Sequence, residues 1–479
     1  MRLRTLAFLA GCLSLCACSI RVDPAQVATC NLRIIPVETP LPVAHGGSSG
    51  TGATESRAPG RAESLADVVA GALTRSGPGG FTTGETPRDM LFLSGGSHDG
   101  AYGAGYLLGW AENARPRAAL PRFALVTGIS TGAILATPAF LGDAQQAYDN
   151  YGSIKNESDL LTTYAKMSNG DIKLSSYPSI LRHGALADLT PLKAWLRRYL
   201  TPETLERVAD RGQNQTLLVG VVDAESGKAV AIDLTDLAAK YAEAMDDGDA
   251  KAAETARSCY VDAIVASSSA PLAARPVFMN NRTYIDGGVR YAVFSTALQS
   301  GVERAVAKLG ASSTANPGAP PPKPNVFVLF HGTQTVDPWC EKDMDAALCE
   351  QYRDPRVVPS RARTSWSLLG LARRAVGLMV NQLQRVSVTD LEQKYVPVLG
   401  KDHFFYTQIC PASLDYQATL TVAGQSQTRT CTQWYDYDHV TLEPVQFHPH
   451  YMQCLTQAGR ARALADRWPS PDAARPQCD

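Results

Sequence analysis

The sequence predicts an α/β fold, and three observations carry the prediction. An apolar run from Leu125 ends in Gly128-Ile-Ser130-Thr-Gly132, and small residues able to form a helix follow it. A second apolar run at 90–94 leads through the glycine-rich turn Gly95-Gly-Ser-His-Asp-Gly100 into a helical pattern at 101–110. A third short strand at 283–286 ends in Asp286-Gly287-Gly288. Strands that alternate with helices in this way build a layered α/β sheet, with chemistry gathered at the carboxyl ends of the strands.

The first of these stretches has the layout of a nucleophile elbow. A strand stops, Ser130 occupies the tip of a tight turn, and a helix carries the chain away. Gly128 and Gly132 lack a Cβ, so strand and helix can pass close on either side of the serine. The hydroxyl then stands at the positive end of a helix, where an alkoxide or oxyanion is favoured. In the turn at 95–100 several backbone N–H groups converge, with Asp99 as a natural N-cap for the following helix. A dinucleotide site is the rival use of such a turn, but the Gly-x-Gly-x-x-Gly spacing is not met. Beside a serine elbow, the turn fits an oxyanion hole better.

The remaining elements follow in chain order. Residues 65–73 have the pattern of a short helix. Helical patterns occupy 190–199 and 201–211, the second with Thr201 as its cap, and 216–223 is a buried strand that pairs with 229–232 across a turn. A helix runs through 262–269, 325–330 is another strand, and a long helical stretch covers 365–395. Its apolar residues at 366–380 have helical spacing and are expected in the core, with the lining of an acyl-chain channel or contact with a bilayer as the alternatives. Residues 311–324, rich in Pro, Gly and Ser, form a long loop. His448 and His450 have no acidic or cysteine partner at metal spacing and are read as structural.

Composition bounds the function classes. A net charge of −1 gives no electrostatic argument for nucleic acid, and a 45% hydrophobic content over 479 residues supplies a large core. Arg2 and Arg4 precede an apolar run too short to span a bilayer, and Leu15-Cys-Ala-Cys18 follows. This resembles a bacterial lipoprotein signal, with residues 1–17 removed and Cys18 lipidated; Cys12 is the alternative. The mature chain is then expected in the cell envelope, held to a membrane through its lipid, and in the outer membrane of a diderm host. Residues 18–87 read as an N-terminal anchor and flexible linker, with the glycine-rich 44–53 at their centre. The eight cysteines after Cys18 are expected to form disulfides in an oxidising compartment, with Cys340–Cys349 and Cys410–Cys431 paired by proximity. No cysteine or histidine cluster has zinc-ligand spacing, so no metal is expected.

Taken together and in order, Gly95-Gly-Ser-His-Asp-Gly100, Gly128-Ile-Ser-Thr-Gly132 and Asp286-Gly-Gly288 make the chain similar to the patatin-like phospholipases. Ala266-Ser-Ser-Ser-Ala-Pro271 adds to the resemblance, which is strong from 88 to 293. It implies a three-layer α/β/α fold with a mostly parallel central sheet, a catalytic core at 88–335, and a C-terminal part at 336–479 packed on the same domain. It also implies a Ser-Asp dyad of Ser130 and Asp286, an oxyanion hole lined by Gly95, Gly96 and Ser97, and a lipid ester as substrate, phospholipid among the candidates. Gly100, Gly128, Gly132, Gly287 and Gly288 are the motif glycines. No cofactor is implied, and the resemblance names no protein partner. Two positions depart from the family pattern: Ser97 replaces its usual third glycine and Asp99 its usual arginine, which weakens the case for anionic headgroup recognition.

The chemistry can be stated from the residues. Ser130 attacks an ester carbonyl, Asp286 accepts its proton, and the turn at 95–97 holds the oxyanion. A carboxylate near pKa 4 is a poor base at neutral pH, so the dyad requires a partly apolar pocket around Asp286. Two other readings stay open. One is a Ser-Asp-His esterase that uses Asp286 or Asp223 with His331 or His403. The other is an envelope lipoprotein that has lost catalysis.

Overall fold

The computed structural model describes residues 27–37, 63–75, 88–113, 120–168, 171–294, 298–312, 323–336, 338, 346–361, 368–465 and 478. Cys12, Cys18, the stretch at 44–53, most of the loop at 311–324 and Cys340 lie outside them.

The central strands of the sheet are buried on both sides, as befits strands covered by helices on two faces, whereas its short antiparallel strands are partly exposed. The strands are β1 (Ile34–Pro36), β2 (Asp89–Leu93), β3 (Phe123–Ile129), β4 (Thr216–Asp223) and β5 (Lys228–Asp233). The short β6 (Val277–Met279) and β7 (Arg282–Asp286) follow, then β8 (Val326–Leu329) and β9 (Phe404–Thr407). They form one nine-stranded sheet in the order β1-β5-β4-β3-β2-β8-β9, with β7 beside β4 and β6 on β7. The centre, from β4 to β9, is parallel, and β1, β5, β6 and β7 join antiparallel.

Alternate side chains feed two cores. Leu91, Leu93, Val126, Val219 and Phe327 face one, with α2 (Gly100–Ala111), α3 (Thr131–Leu141) and α4 (Ala250–Ser267) over them. Met90, Phe92, Leu125, Leu218 and Val328 face the other, covered by α1 (Leu65–Thr74), α5 (Leu298–Ser312) and the end of α6 (Leu368–Leu399). This is a three-layer α/β/α architecture. The helices expected at 190–199 and 201–211 are Thr190–Tyr199 and Pro202–Gly212, and the Thr201 hydroxyl caps the second by accepting the Thr204 N–H at 3.3 Å.

The C-terminal segment adds α7 (Cys431–Thr441) and α8 (Pro449–Ala465). α8 lies directly on α2, and glycines set the spacing. A Cβ on Gly105 would meet the Thr456 carbonyl oxygen at 1.9 Å, and one on Gly459 the Tyr102 oxygen at 2.1 Å. Disulfides join Cys30 to Cys259, Cys410 to Cys478 and Cys431 to Cys454. The expected Cys410–Cys431 pair is therefore wrong. Cys431 opens α7, where it meets Cys454 on α8, and Cys410 meets a cysteine far along the chain. Nearness in sequence does not decide pairing once helices bring distant residues together. Cys349 is also disulfide-bonded.

A second correction concerns α6. Leu371, Val376, Leu378, Met379 and Val380 are exposed, and the buried positions are further on, at Val388, Leu391, Tyr395 and Leu399. Among the described residues no helix is long and apolar enough to cross a membrane.

Candidate active site

The register of the sheet brings Ser130 and Asp286 together. β4 is longer than β3: its first part pairs with β3, ending at Ile129 opposite Gly220. Its last residues pair with β7, where Asp286 lies opposite Val221. β3 and β7 thus run towards each other along the same edge of β4 and meet end to end. Ser130 leaves one tip as Asp286 leaves the other.

Ser130 has φ 55° and ψ −123°, a backbone conformation that a side chain rarely adopts. Such a residue persists only when its surroundings over-determine it. Its N–H donates to Ser267 Oγ at 2.9 Å, and Ser268 Oγ donates to its carbonyl at 3.2 Å. Ser267 in turn donates to the Gly220 carbonyl at 2.6 Å, which ties the clamp to the sheet. The close passage of strand and helix leaves no room for side chains. A Cβ on Gly128 would meet the Gly132 carbonyl oxygen at 2.3 Å, and one on Gly132 the Leu93 oxygen at 2.3 Å. Gly287 packs with the same closeness on the Gly220 carbonyl.

Asp286 is buried, and burial pushes its carboxyl up to about 6. The Ser130 hydroxyl and the Gly288 N–H, the latter donating to Oδ1 at 2.7 Å, oppose that shift by stabilising the charged form.

The turn before α2 lies against Ser130. A Cβ on Gly95 would come within 3.2 Å of Ser130 Cβ, and one on Gly96 would collide with the His331 carbonyl oxygen at 1.9 Å. Ser97 has φ 53°. The Gly95 N–H donates to the Ala292 carbonyl at 3.3 Å, whereas those of Gly96 and Ser97 form no hydrogen bond among the described residues. Gly95 therefore shapes the turn, and Gly96 and Ser97 hold its free donors. Gly100 abuts Thr131, whose hydroxyl is 2.6 Å from that of Tyr151. Asp99 does not cap α2 with its side chain; its Oδ1 accepts the Tyr451 hydroxyl at 3.0 Å, and burial raises its pKa.

Sequence reasoning missed the strap at 444–448, which crosses this turn from the C-terminal segment. Glu157 accepts the N–H groups of Val445, Gln446 and Phe447 at 2.9, 2.6 and 2.8 Å. Gln446 donates from Nε2 to Ser97 Oγ at 2.9 Å and accepts His98 Nδ1 on its carbonyl, also at 2.9 Å. Phe447 and Met452 join Ile154, Leu160, Leu192 and Trp195 around an apolar cavity of about 30 Å³ that reaches Ser130 and Ser97. No sequence pattern links a Gln-Phe pair to a turn some 350 positions earlier.

The other candidates lie elsewhere. His331 is buried, donates from Nδ1 to the Ser94 carbonyl at 2.6 Å, and burial holds its pKa down at about 4. Its Nε2 faces Gly103 of α2. His403 precedes β9 at the amino edge of the parallel strands, next to Asn325. Register places it about six residues, or about 20 Å, behind the level of Ser130. Asp223 is ion-paired with Arg282 at 2.5 Å; although burial works the other way, Ser226, Glu225 and Arg282 hold its pKa down. Neither histidine reaches the serine. Among the described residues no three metal-ligating side chains cluster.

The model of the patatin-like phospholipase family matches residues 91–297. That stretch is a patatin-like phospholipase domain. It spans Ser130, Asp286, most of the turn's strand and the Ser267–Ser268 clamp, and a patatin-like domain implies lipid acyl hydrolase chemistry in the broad sense. The match ends before His331, the strap and α8, so the patatin-like core here is roofed by residues outside the matched region. No curated protein matches the chain.

Proposed function

We propose that the protein is a serine acyl hydrolase that cleaves lipid carboxylic esters through Ser130 and Asp286. The observation that carries this reading is the strained, doubly clamped Ser130 facing a buried carboxylate, with two unpaired N–H groups on the neighbouring turn. Ser130 Oγ attacks the ester carbonyl carbon while Asp286 takes its proton, and the oxyanion forms against the Gly96 and Ser97 N–H groups. Removing one such donor typically costs about 3 to 4 kcal/mol of transition-state stabilisation. Collapse breaks the ester C–O bond, and Asp286 returns the proton to the departing alcohol. Water then adds to the acyl-serine, gives its proton to Asp286, and the fatty acid leaves as Ser130 is re-protonated. With a carboxyl near 6, Asp286 is ionised at neutral pH and yet basic enough to serve.

The apolar lining fits an acyl chain, but about 30 Å³ holds little more than a water or two, so a long chain enters only if the lining moves. Phe447, on the strap, is the side chain best placed to do so. A fluorophosphonate probe should label the folded wild type and fail to label Ser130→Ala. Equal labelling of both, or none of the wild type, overturns the reading, and the second outcome favours a silent lipoprotein.

The leader at 1–17 supports a second part of the proposal, that Cys18 carries a diacylglyceryl group and holds the enzyme in the bacterial envelope, at the outer membrane of a diderm host. Intact mass of the mature protein decides it: an unmodified N-terminus beyond Cys18 excludes the anchor.

A further inference from the structure

The first half of α6 is a surface without a place in the core. α6 connects β8 to β9, which are parallel neighbours, so it runs back against the strand direction and begins at the carboxyl edge of the sheet. Its 32 residues span about 48 Å, whereas the four residues of β8 span about 13 Å. The buried end, Val388 to Leu399, covers the sheet. Near the edge the helix is tied down by Ser387, which accepts the Ala292 N–H at 3.1 Å, and by Asn381, which donates to the Thr333 carbonyl at 3.3 Å. What precedes these ties overshoots the sheet on the side where Ser130 and Asp286 stand.

That overhang, with the turn of helix between the two ties, is apolar and cationic together. Leu371, Val376, Leu378, Met379, Val380 and Val386 are all exposed, Met379 to 70%. From 368 to 389 the helix has three arginines, Arg373, Arg374 and Arg385, and no carboxylate. At 100° per residue the six apolar positions share one broad arc, and Arg374 and Arg385 fall within about 20° of each other at its margin. Neither Arg374 nor Arg385 pairs with a carboxylate among the described residues. An apolar stripe edged by arginines suits the boundary between acyl chains and anionic headgroups, where guanidinium groups meet phosphates as the stripe sinks in. A second copy of the chain would bring arginine against arginine.

We infer that the overhanging half of α6 docks on an anionic lipid bilayer and holds the mouth of the site against it, independently of any lipid on Cys18. The test is co-sedimentation of the full chain carrying Cys18→Ser with vesicles of phosphatidylcholine, alone or with 30% phosphatidylglycerol. Binding to the anionic vesicles should be at least tenfold tighter and should weaken with salt. Leu378→Glu with Met379→Glu should reduce it at least tenfold, and Arg374→Gln with Arg385→Gln should abolish the anionic preference. Turnover of a water-soluble ester should be unchanged in both double variants. Equal sedimentation of the Leu378→Glu/Met379→Glu variant and its parent overturns the inference. So does indifference to phosphatidylglycerol, or self-association abolished by the same substitutions without vesicle binding. If the parent turns over no ester, the hydrolase proposal fails, and sedimentation still decides docking.

Discussion

Asp286 is where burial and function act against each other. Its carboxyl is raised to about 6 because desolvation outweighs the donors Ser130 and Gly288. The base proposed here must be unprotonated, so kcat/KM for a soluble ester should fall as pH drops through about 6, with a single acidic limb. The same shift makes a stability prediction. The unfolded carboxyl ionises near 4 and the folded one near 6, so below pH 4 both states are neutral and nothing is lost. As pH rises through 4 to 6 the unfolded state gains, and above 6 the folded protein is destabilised by up to about 3 kcal/mol, two pKa units at 1.36 kcal/mol each. Asp286→Asn should therefore abolish turnover yet unfold at a higher temperature than the wild type at pH 8, and the difference should vanish towards pH 4. A gain in stability over the wild type that is no larger at pH 8 than at pH 4 contradicts the raised carboxyl. Ser130, Asp286 and the elbow glycines were legible in the sequence because a serine on a tight turn and an acid before paired glycines leave local signatures. The Ser267–Ser268 clamp was visible only as a stretch of serines, since its hydrogen bonds span about 137 positions.

At the scale of elements, the strap at 444–448 and the turn at 95–100 form one unit held by Glu157. Three consecutive N–H groups end on that single carboxylate, and hydrogen bonds to a charged acceptor contribute about 1.5 to 3 kcal/mol each when made alone. Ser97, in its left-handed conformation, depends on Gln446 from the strap. Glu157→Ala should lower kcat/KM about tenfold to a hundredfold and reduce stability by about 2 to 4 kcal/mol, with circular dichroism unchanged. Gln446→Ala should lower kcat/KM about tenfold with little loss of stability. If both variants turn over ester as the wild type does, the strap is a roof only. A histidine comparison tests the dyad from the other side: His403→Ala, at the opposite edge of the parallel strands from the serine, should keep activity within about tenfold, whereas a thousandfold loss would restore the triad. Core strands and helices were readable from their periodicity. The first half of α6 was not, because its helical spacing of apolar residues looks the same whether a core or a bilayer receives it.

Across the whole molecule, the sheet's two faces are closed by helices from distant parts of the chain, and disulfides fix the closures. Cys30–Cys259 joins the segment that enters edge strand β1 to α4, whose last residue, Ser267, clamps the elbow. Cys431–Cys454 joins α7 to α8, which lies on α2 behind the turn at 95–100. None of this pairing could be read from spacing, since one bridge spans 229 positions and another 23. In the chain-entropy account a cross-link stabilises by restricting the unfolded chain, and the effect grows with the logarithm of the loop. The long bridge is then worth about 5 kcal/mol and the short one about 3 kcal/mol. Cys30→Ser/Cys259→Ser should therefore lower the urea midpoint more than Cys431→Ser/Cys454→Ser. The two pairs should differ in function in the opposite sense, because only the short bridge borders the strap: its loss should raise KM for a soluble ester at a urea concentration where the protein is still folded. Alkylation of the denatured, unreduced wild type should leave both pairs unmodified, which establishes that the bridges exist before their strengths are compared. If the short-bridge variant has the lower midpoint, loop entropy is not what these disulfides contribute, and the contacts of α7 and α8 set their value instead.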